Sequence, residues 1–183
     1  YAALTKEIEP ETFKGELAEL TTLALTDAQK RKFVAALDGD VYDDLPKARM
    51  ALVLRLESLV RAPGVQLQDA VSLEHVLPQT PPDGSDWIKW FPDEDERDGW
   101  THRLANLVPL DRNKNSSASN YDFAKKKDAY FRGKGKASPF VLTQEVRSEN
   151  EWTPTLLDER QKRLVGVLKD HWNLAVATGT AAS

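Results

Sequence analysis

Apolar positions return at helical spacing over most of this chain and at strand spacing in only two short stretches. After Pro10-Glu11-Thr12, the residues Phe13, Leu17, Leu20 and Leu23 or Leu25 recur every three or four positions, as one buried helix face requires. Thr26-Asp-Ala-Gln29 has the form of a capping box. It opens a second helix through Phe33, Val34 and Leu37, which Gly39 ends. Pro46 suits the first turn of a third helix, where Ala48, Ala51, Leu52, Leu54, Leu56 and Leu59 make a broad apolar side and Pro63-Gly64 closes it. Three helices joined by short connections predict a small bundle over residues 1–66.

The period then changes. Residues 70–77 (AVSLEHVL) read as a strand stopped by Pro78, and Asn106 to Leu110 as a second strand. Between them, Pro81 to Asp98 is rich in proline and aspartate with Trp87, Trp90 and Phe91 interspersed. This predicts a long insert holding at most short helical turns, a kind of segment often kept for function. A helical turn is expected from Trp100 to Leu104. Beyond the second strand, Asp111 can cap a helix carrying Asn115, and a further helix begins near Ser119-Asn120 with Phe123, Tyr130 and Phe131 inward. Gly133-Lys-Gly-Lys136 reads as a basic loop. Thr153 followed by Pro154 starts a long last helix to about Trp172, striped by Leu156, Leu157, Arg160, Leu164, Val167 and Leu168. The expected organisation is a helical bundle (1–66), a second unit (67–174) ending in the long helix, and a tail (175–183).

Composition narrows the chemistry. With 40% hydrophobic and 30% charged residues the 183-residue chain is a globular protein, and no apolar run is long enough to span a bilayer. The absence of cysteine removes disulfides, thiolate zinc sites and cysteine nucleophiles together, and is compatible with a reducing cytoplasm. The chain opens on Tyr1 with no charged-then-apolar leader, which suggests a piece of a longer protein. A net charge of −4 is not that of a protein that coats nucleic acid by overall charge, so any such contact must be local.

The local chemistry centres on Glu74-His75. Neighbouring side chains of a strand point to opposite faces, so at a strand end these two can serve different roles around one phosphate. The carboxylate can hold a hard cation and the imidazole can take a proton from water. Asn106 and Asn115 follow about thirty and forty residues on. Strand–His, loop, strand–Asn, helix–Asn is the order of the HNH nuclease motif. More narrowly, the chain resembles the C-terminal HNH domain of GmrSD-type modification-dependent restriction enzymes. The resemblance rests on Glu74-His75-Val-Leu-Pro78, on His102-Arg-Leu-Ala-Asn106 with Leu-Val-Pro-Leu110, on Asn115-Ser-Ser, on Phe123-Ala-Lys-Lys126 with Tyr130, and on Trp152-Thr-Pro with Arg160. It covers roughly residues 45–172, departing at Ala105, where the family is expected to have glycine.

That resemblance implies a mainly α fold around a small ββα-metal (HNH) core. It implies His75 as general base, Asn106 as the brace that orients it, and Glu74 with Asn115 as ligands of one divalent metal, Mg²⁺ or Mn²⁺; Asn113 competes with Asn115 for that place. It further implies phosphodiester hydrolysis to 5′-phosphate and 3′-hydroxyl ends, phage DNA as substrate, bacterial cytoplasm as setting, and a nucleotide-hydrolysing sensor domain preceding this one. The cations Arg112, Lys114, Lys125, Lys126, Lys127 and Arg132 follow the second strand directly, where a phosphate backbone would lie, and are expected to track DNA. His102 and His171 read as packing residues, with His102 kept in play by its closeness to Asn106. Trp87 and Trp90 read as anchors that could stack on bases. The acidic run from Asp83 to Asp98 would repel DNA and could shield the site. A competing reading is a DNA-binding or docking module whose nuclease site has lapsed.

Overall fold

The computed structural model describes residues 24–61, 71–111, 120–132 and 138–176, without the side chains of residues 131 and 132. The first expected helix (after Pro10), the helix carrying Asn115, the basic loop 133–136 and the end of the tail lie outside them.

Among the described residues the order is α1 (Asp27–Asp38), α2 (Val41–Asp44), α3 (Arg49–Val60), β1 (Val71–His75), α4 (Asp86–Trp90), α5 (Glu94–Thr101), a 3₁₀ turn (Leu104–Asn106), β2 (Leu107–Asp111), α6 (Phe123–Arg132), α7 (Val141–Ser148) and α8 (Pro154–His171). The protein is mostly helical around one small antiparallel sheet, an arrangement consistent with a ββα-type nuclease core. The Thr26 capping box forms: its hydroxyl accepts from the Gln29 amide at 3.2 Å, while the Gln29 side chain accepts from the Thr26 N–H at 2.9 Å. Thr153 caps α8 with Pro154 in the first turn, where the missing N–H costs nothing.

Three elements differ from the sequence expectation. The Asp-rich insert contains α5, two full turns, because Asp93 caps it and Glu94, Asp95 and Glu96 sit where the helix dipole favours negative charge. α2 is a single turn capped by Asp40, and it was hidden because it presents only one buried side chain, Val41. α7 was also unforeseen. Its start is capped not locally but by Glu57 from α3, whose two carboxylate oxygens accept from the amides of Val141 (2.8 Å) and Leu142 (3.0 Å).

β1 and β2 pair in the register Val71↔Asp111, Leu73↔Pro109 and His75↔Leu107. One hydrophobic cluster joins Leu37 and Val41, Leu52, Val53 and Leu56 of α3, Val108 and Leu110 of β2, Trp87, Phe123 and Trp152, and Leu157, Leu164 and Leu168 of α8. The N-terminal helices and the sheet therefore share one core. α8 pins the 3₁₀ turn: Gln161 accepts from Ala105 N–H at 2.9 Å, and Arg160 Nε donates to Ala105 carbonyl at 3.0 Å. Ala105 is fully buried with an ordinary backbone, since the only non-glycine at positive φ among the described residues is Asn173. Alanine at this position is thus accommodated without strain.

Candidate active site

The end of β1 delivers Glu74 and His75 to a polar cavity of about 260 Å³, lined also by Pro78, Gln79, Thr80, Asn120 and Lys126. No residue of the acidic segment 83–98 lines it. The turn that shapes its floor is held by Asn106, which is fully buried. The Asn106 carboxamide oxygen accepts from Leu77 N–H (2.7 Å) and from the Trp152 indole (3.0 Å). Its amide donates to the carbonyls of Leu77 (2.9 Å) and Thr101 (2.8 Å). A side chain with one oxygen and one NH₂ is the group that can serve two donors and two acceptors at once. The result is a rigid connection between Leu77, two residues after His75, and the turn preceding β2.

Glu74 is only 6% exposed. Its Oε1 accepts from Lys126 Nζ at 2.8 Å and from the Tyr130 hydroxyl at 2.9 Å, and Lys126 also donates to the His75 carbonyl at 2.6 Å. Burial pushes the Glu74 carboxyl up and the Lys126 ammonium down, each countered in part by the other's charge. Among the described residues Glu74 Oε2 has no hydrogen-bond partner. The cavity therefore offers one carboxylate oxygen to a cation. That fits a hard, largely hydrated ion such as Mg²⁺, which needs few protein ligands, although the adjacent ammonium works against its charge.

Lys126 corrects the expectation that it tracks DNA on a solvated face. Phe123, Lys126 and Tyr130 lie at helical spacing on the inward side of α6, so Lys126 is 1% exposed and neutralises Glu74 within the site. Lys127 donates to the Glu149 carbonyl at 2.7 Å, and Lys125 stands exposed over the Tyr121 ring at 3.4 Å. Arg112, Lys114, Asn113 and Asn115 lie outside the described residues, as does the Arg132 side chain. Trp87 is buried, with its indole donating to the Tyr121 carbonyl, so it is a core anchor and not a base platform.

His75 is enclosed by Tyr42, whose ring meets it edge-on at 4.3 Å, and by His102 at 5.1 Å and 89°. Its Nε2 is 3.2 Å from His102 Nδ1, and Gln79 Nε2 lies 3.3 Å from its Nδ1 and 3.4 Å from its Nε2. Burial, and then the electrostatic effect of His102, Lys126 and Arg49, lower its pKa to about 3, so the ring is neutral at pH 7 with a lone pair to accept a proton, and is a weaker base than a free imidazole. His102 Nε2 faces Asp43 Oδ2 at 3.7 Å. Asp40, Asp43 and His102 bring ligand atoms within 4.8 Å of one another, but Asp40 already caps the Asp43 amide (2.9 Å). Tyr42, Asp43 and Gln79 were not foreseen. Gln79 follows the strand-end histidine by four residues across Pro78 and could have been suspected; nothing in sequence ties Tyr42 or Asp43 to a site more than thirty residues away.

A two-stranded antiparallel sheet, with a histidine and a carboxylate at one strand end and an asparagine holding the turn, is consistent with a small ββα-type nuclease core. The family model for the C-terminal domain of GmrSD restriction endonucleases matches residues 27–167. The chain belongs to that family, and so is a nuclease domain of the restriction-endonuclease class, for which DNA is the substrate and a divalent metal the expected cofactor. Comparison with curated proteins finds no match. No helix among the described residues is long and apolar enough to cross a membrane.

Proposed function

We propose that this chain is an HNH-type DNA-nicking domain that hydrolyses phosphodiesters with one divalent metal, as part of an antiphage effector similar to the phosphorothioate-linked effector SspE. The observation that carries the reading is a neutral, caged imidazole opening on the same small polar cavity as a carboxylate and an ammonium. His75 takes a proton from water, the resulting hydroxide attacks phosphorus, and the P–O bond to the 3′-oxygen breaks. That oxygen takes a proton from solvent water as it leaves and His75 returns its own to solvent, giving a 3′-hydroxyl and a 5′-phosphate. Lys126, the one cation among the described residues that line the cavity, neutralises Glu74 beside the place the phosphate would take. Asn106 holds the His75 turn through the Leu77 amide and carbonyl, fixing where the base sits.

Glu74, with Asn115, would hold Mg²⁺ or Mn²⁺. When bound, that ion supplies Lewis-acid stabilisation of the departing oxygen. Exposed Lys125, with Arg112, Lys114 and Arg132, is assigned to the DNA backbone. The proposed setting is the bacterial cytoplasm, behind a nucleotide-hydrolysing sensor domain.

The test is plasmid relaxation with Mg²⁺, comparing wild type with His75→Ala alongside a DNA-affinity measurement. Nicking lost in the variant with affinity retained supports the enzyme. Equal inactivity of both proteins with DNA still bound would replace it with a binding module whose site has lapsed, a reading favoured by the Lys126–Glu74 lock alone.

A further inference from the structure

A second cavity opens between α7 and α8, and at about 480 Å³ it is larger than the one at the end of β1, which has about 260 Å³. Its lining holds three carboxylates, Glu145, Glu149 and Glu159, and two guanidinium groups, Arg160 and Arg163. Both arginines are engaged with Glu145: Arg160 Nη1 and Arg163 Nη2 donate to the same oxygen, the second at 2.7 Å. Arg160 gives its other donors to the carbonyls of Ala105 (3.0 Å) and Leu142 (3.3 Å). The carboxylates of Glu149 and Glu159 have no hydrogen bond or ion pair among the described residues, and Glu149 meets Arg160 only as a longer-range charge. Three carboxylates against two guanidinium groups leave the cleft at −1, with its own cations already occupied.

The chain around the cleft extends that bias. From Glu145 to Glu159 the sequence has five acidic residues (Glu145, Glu149, Glu151, Asp158 and Glu159) and a single basic one, Arg147. A phosphate backbone is repelled by such a face, whereas a cation is drawn to it. Trp152 and Leu156 line the same cleft. They supply apolar surface along which the stem of a long basic side chain can lie while its head reaches carboxylates. The occupant that fits both features is an arginine or lysine side chain carried by another protein, not nucleic acid.

Two walls of this cleft also hold the turn at the candidate active site. The Trp152 indole donates to Asn106 Oδ1 at 3.0 Å, the oxygen that also accepts from Leu77 N–H. Arg160 Nε holds the carbonyl of the preceding residue, Ala105. The Arg160 guanidinium lies 5.7 Å over the Trp152 ring, so the two walls adjoin. A cation seated in the cleft attracts Glu145 and Glu149 and repels Arg160. Because Arg160 is bonded to the turn, that change of balance reaches Ala105 and Asn106.

We propose that the cleft between α7 and α8 is a docking site for a basic side chain presented by a partner protein, and that its occupancy is transmitted to the Asn106 turn through Trp152 and Arg160. This extends the nuclease reading to regulation of the same site. The experiment reads the turn and not nicking, so a protein that docks the probe but nicks no DNA sinks only that reading. The full chain, labelled with ¹⁵N and held at low salt where ion pairs are least screened, is titrated with Nα-acetyl-arginine methylamide. The signals followed are the Trp152 indole N–H and the Asn106 side-chain amide. The expected result is that both move along one saturation curve, while the indole of Trp172, at the other end of α8, stays in place. The neutral citrulline counterpart produces no such curve. Replacing Glu149→Gln and Glu159→Gln together, at two side chains that no hydrogen bond ties to the fold, weakens binding at least about threefold. Replacing Glu94→Gln and Glu96→Gln on α5 leaves it unchanged. The inference is overturned by a missing curve, by equal binding of the citrulline compound, or by indifference to the Glu149 and Glu159 changes. It is equally overturned if inorganic phosphate binds the cleft instead, or if Trp152 responds while Asn106 does not.

Discussion

Replacing Lys126 with methionine isolates the energetics of the site. The side chain is 1% exposed and makes two hydrogen bonds, to Glu74 Oε1 and the His75 carbonyl, so its removal leaves a buried carboxylate supported by Tyr130 alone. Glu74 then escapes by taking a proton. Starting from an ordinary value of 4.5, holding it protonated at pH 7 costs at most about 3.4 kcal/mol, at ~1.36 kcal/mol per pH unit. The sign follows from the raised carboxyl: its folded form binds the proton more readily than its unfolded form, so the stability of the variant is greatest below pH 4.5 and is lost as pH rises. The penalty of Lys126→Met is therefore about 3 kcal/mol at pH 7 and under ~1 kcal/mol at pH 5. Glu74→Gln leaves a buried ammonium and costs a similar ~3–5 kcal/mol, whereas the double replacement removes both charges and costs only ~1–2 kcal/mol. Urea unfolding followed by tryptophan fluorescence measures all four proteins, and the coupling should be at least ~2 kcal/mol at pH 7. Two small, additive penalties independent of pH would show that the carboxylate and ammonium are not paired in the interior.

Two further outcomes follow from the same geometry. Asn106→Asp keeps the acceptor for Leu77 and Trp152 but turns an oxygen toward the carbonyls of Leu77 and Thr101, and Asn106→Ala abandons all four groups; unfolding should register about 2 kcal/mol or more for the first and ~3–5 kcal/mol for the second, and losses under ~1 kcal/mol would contradict the bracing role. For His75, a folded pKa of about 3 against the ordinary 6.5 means the unfolded chain binds more protons between those values. Stability is then full above pH 6.5 and declines as pH falls toward 3. Between pH 7.5 and 5 the wild type should lose about 2 kcal/mol more than His75→Gln, and parallel curves for the two proteins would show that the imidazole is not buried.

Where the sequence was readable, a local rule governed the outcome. The capping box at Thr26 and the Thr153-Pro154 start of the last helix are each decided by residues within four positions of one another, and the first strand was legible too, although it ends at His75, ahead of Pro78. The motif residues belong to this class too. Glu74-His75 and Asn106 could be picked out because a strand end and a turn place them, and the register His75↔Leu107 makes their strands neighbours. What failed was everything set by a partner distant in sequence. Lys126 lies within a run of three lysines that reads as a solvated face, and only its phase relative to Phe123 and Tyr130 turns it inward to a carboxylate 52 positions earlier. α7 carries no cap of its own because Glu57 supplies one from 84 positions away. The histidine pair shows the same division: 27 positions separate His75 from His102, and the carboxylate nearest His102 is on a helical turn too short to announce itself. Local rules thus located Glu74, His75 and Asn106 in the fold, while their charge states are governed by long-range contacts. Charge state, on which the chemistry depends, had to come from the packed core that joins α2, β1 and α6.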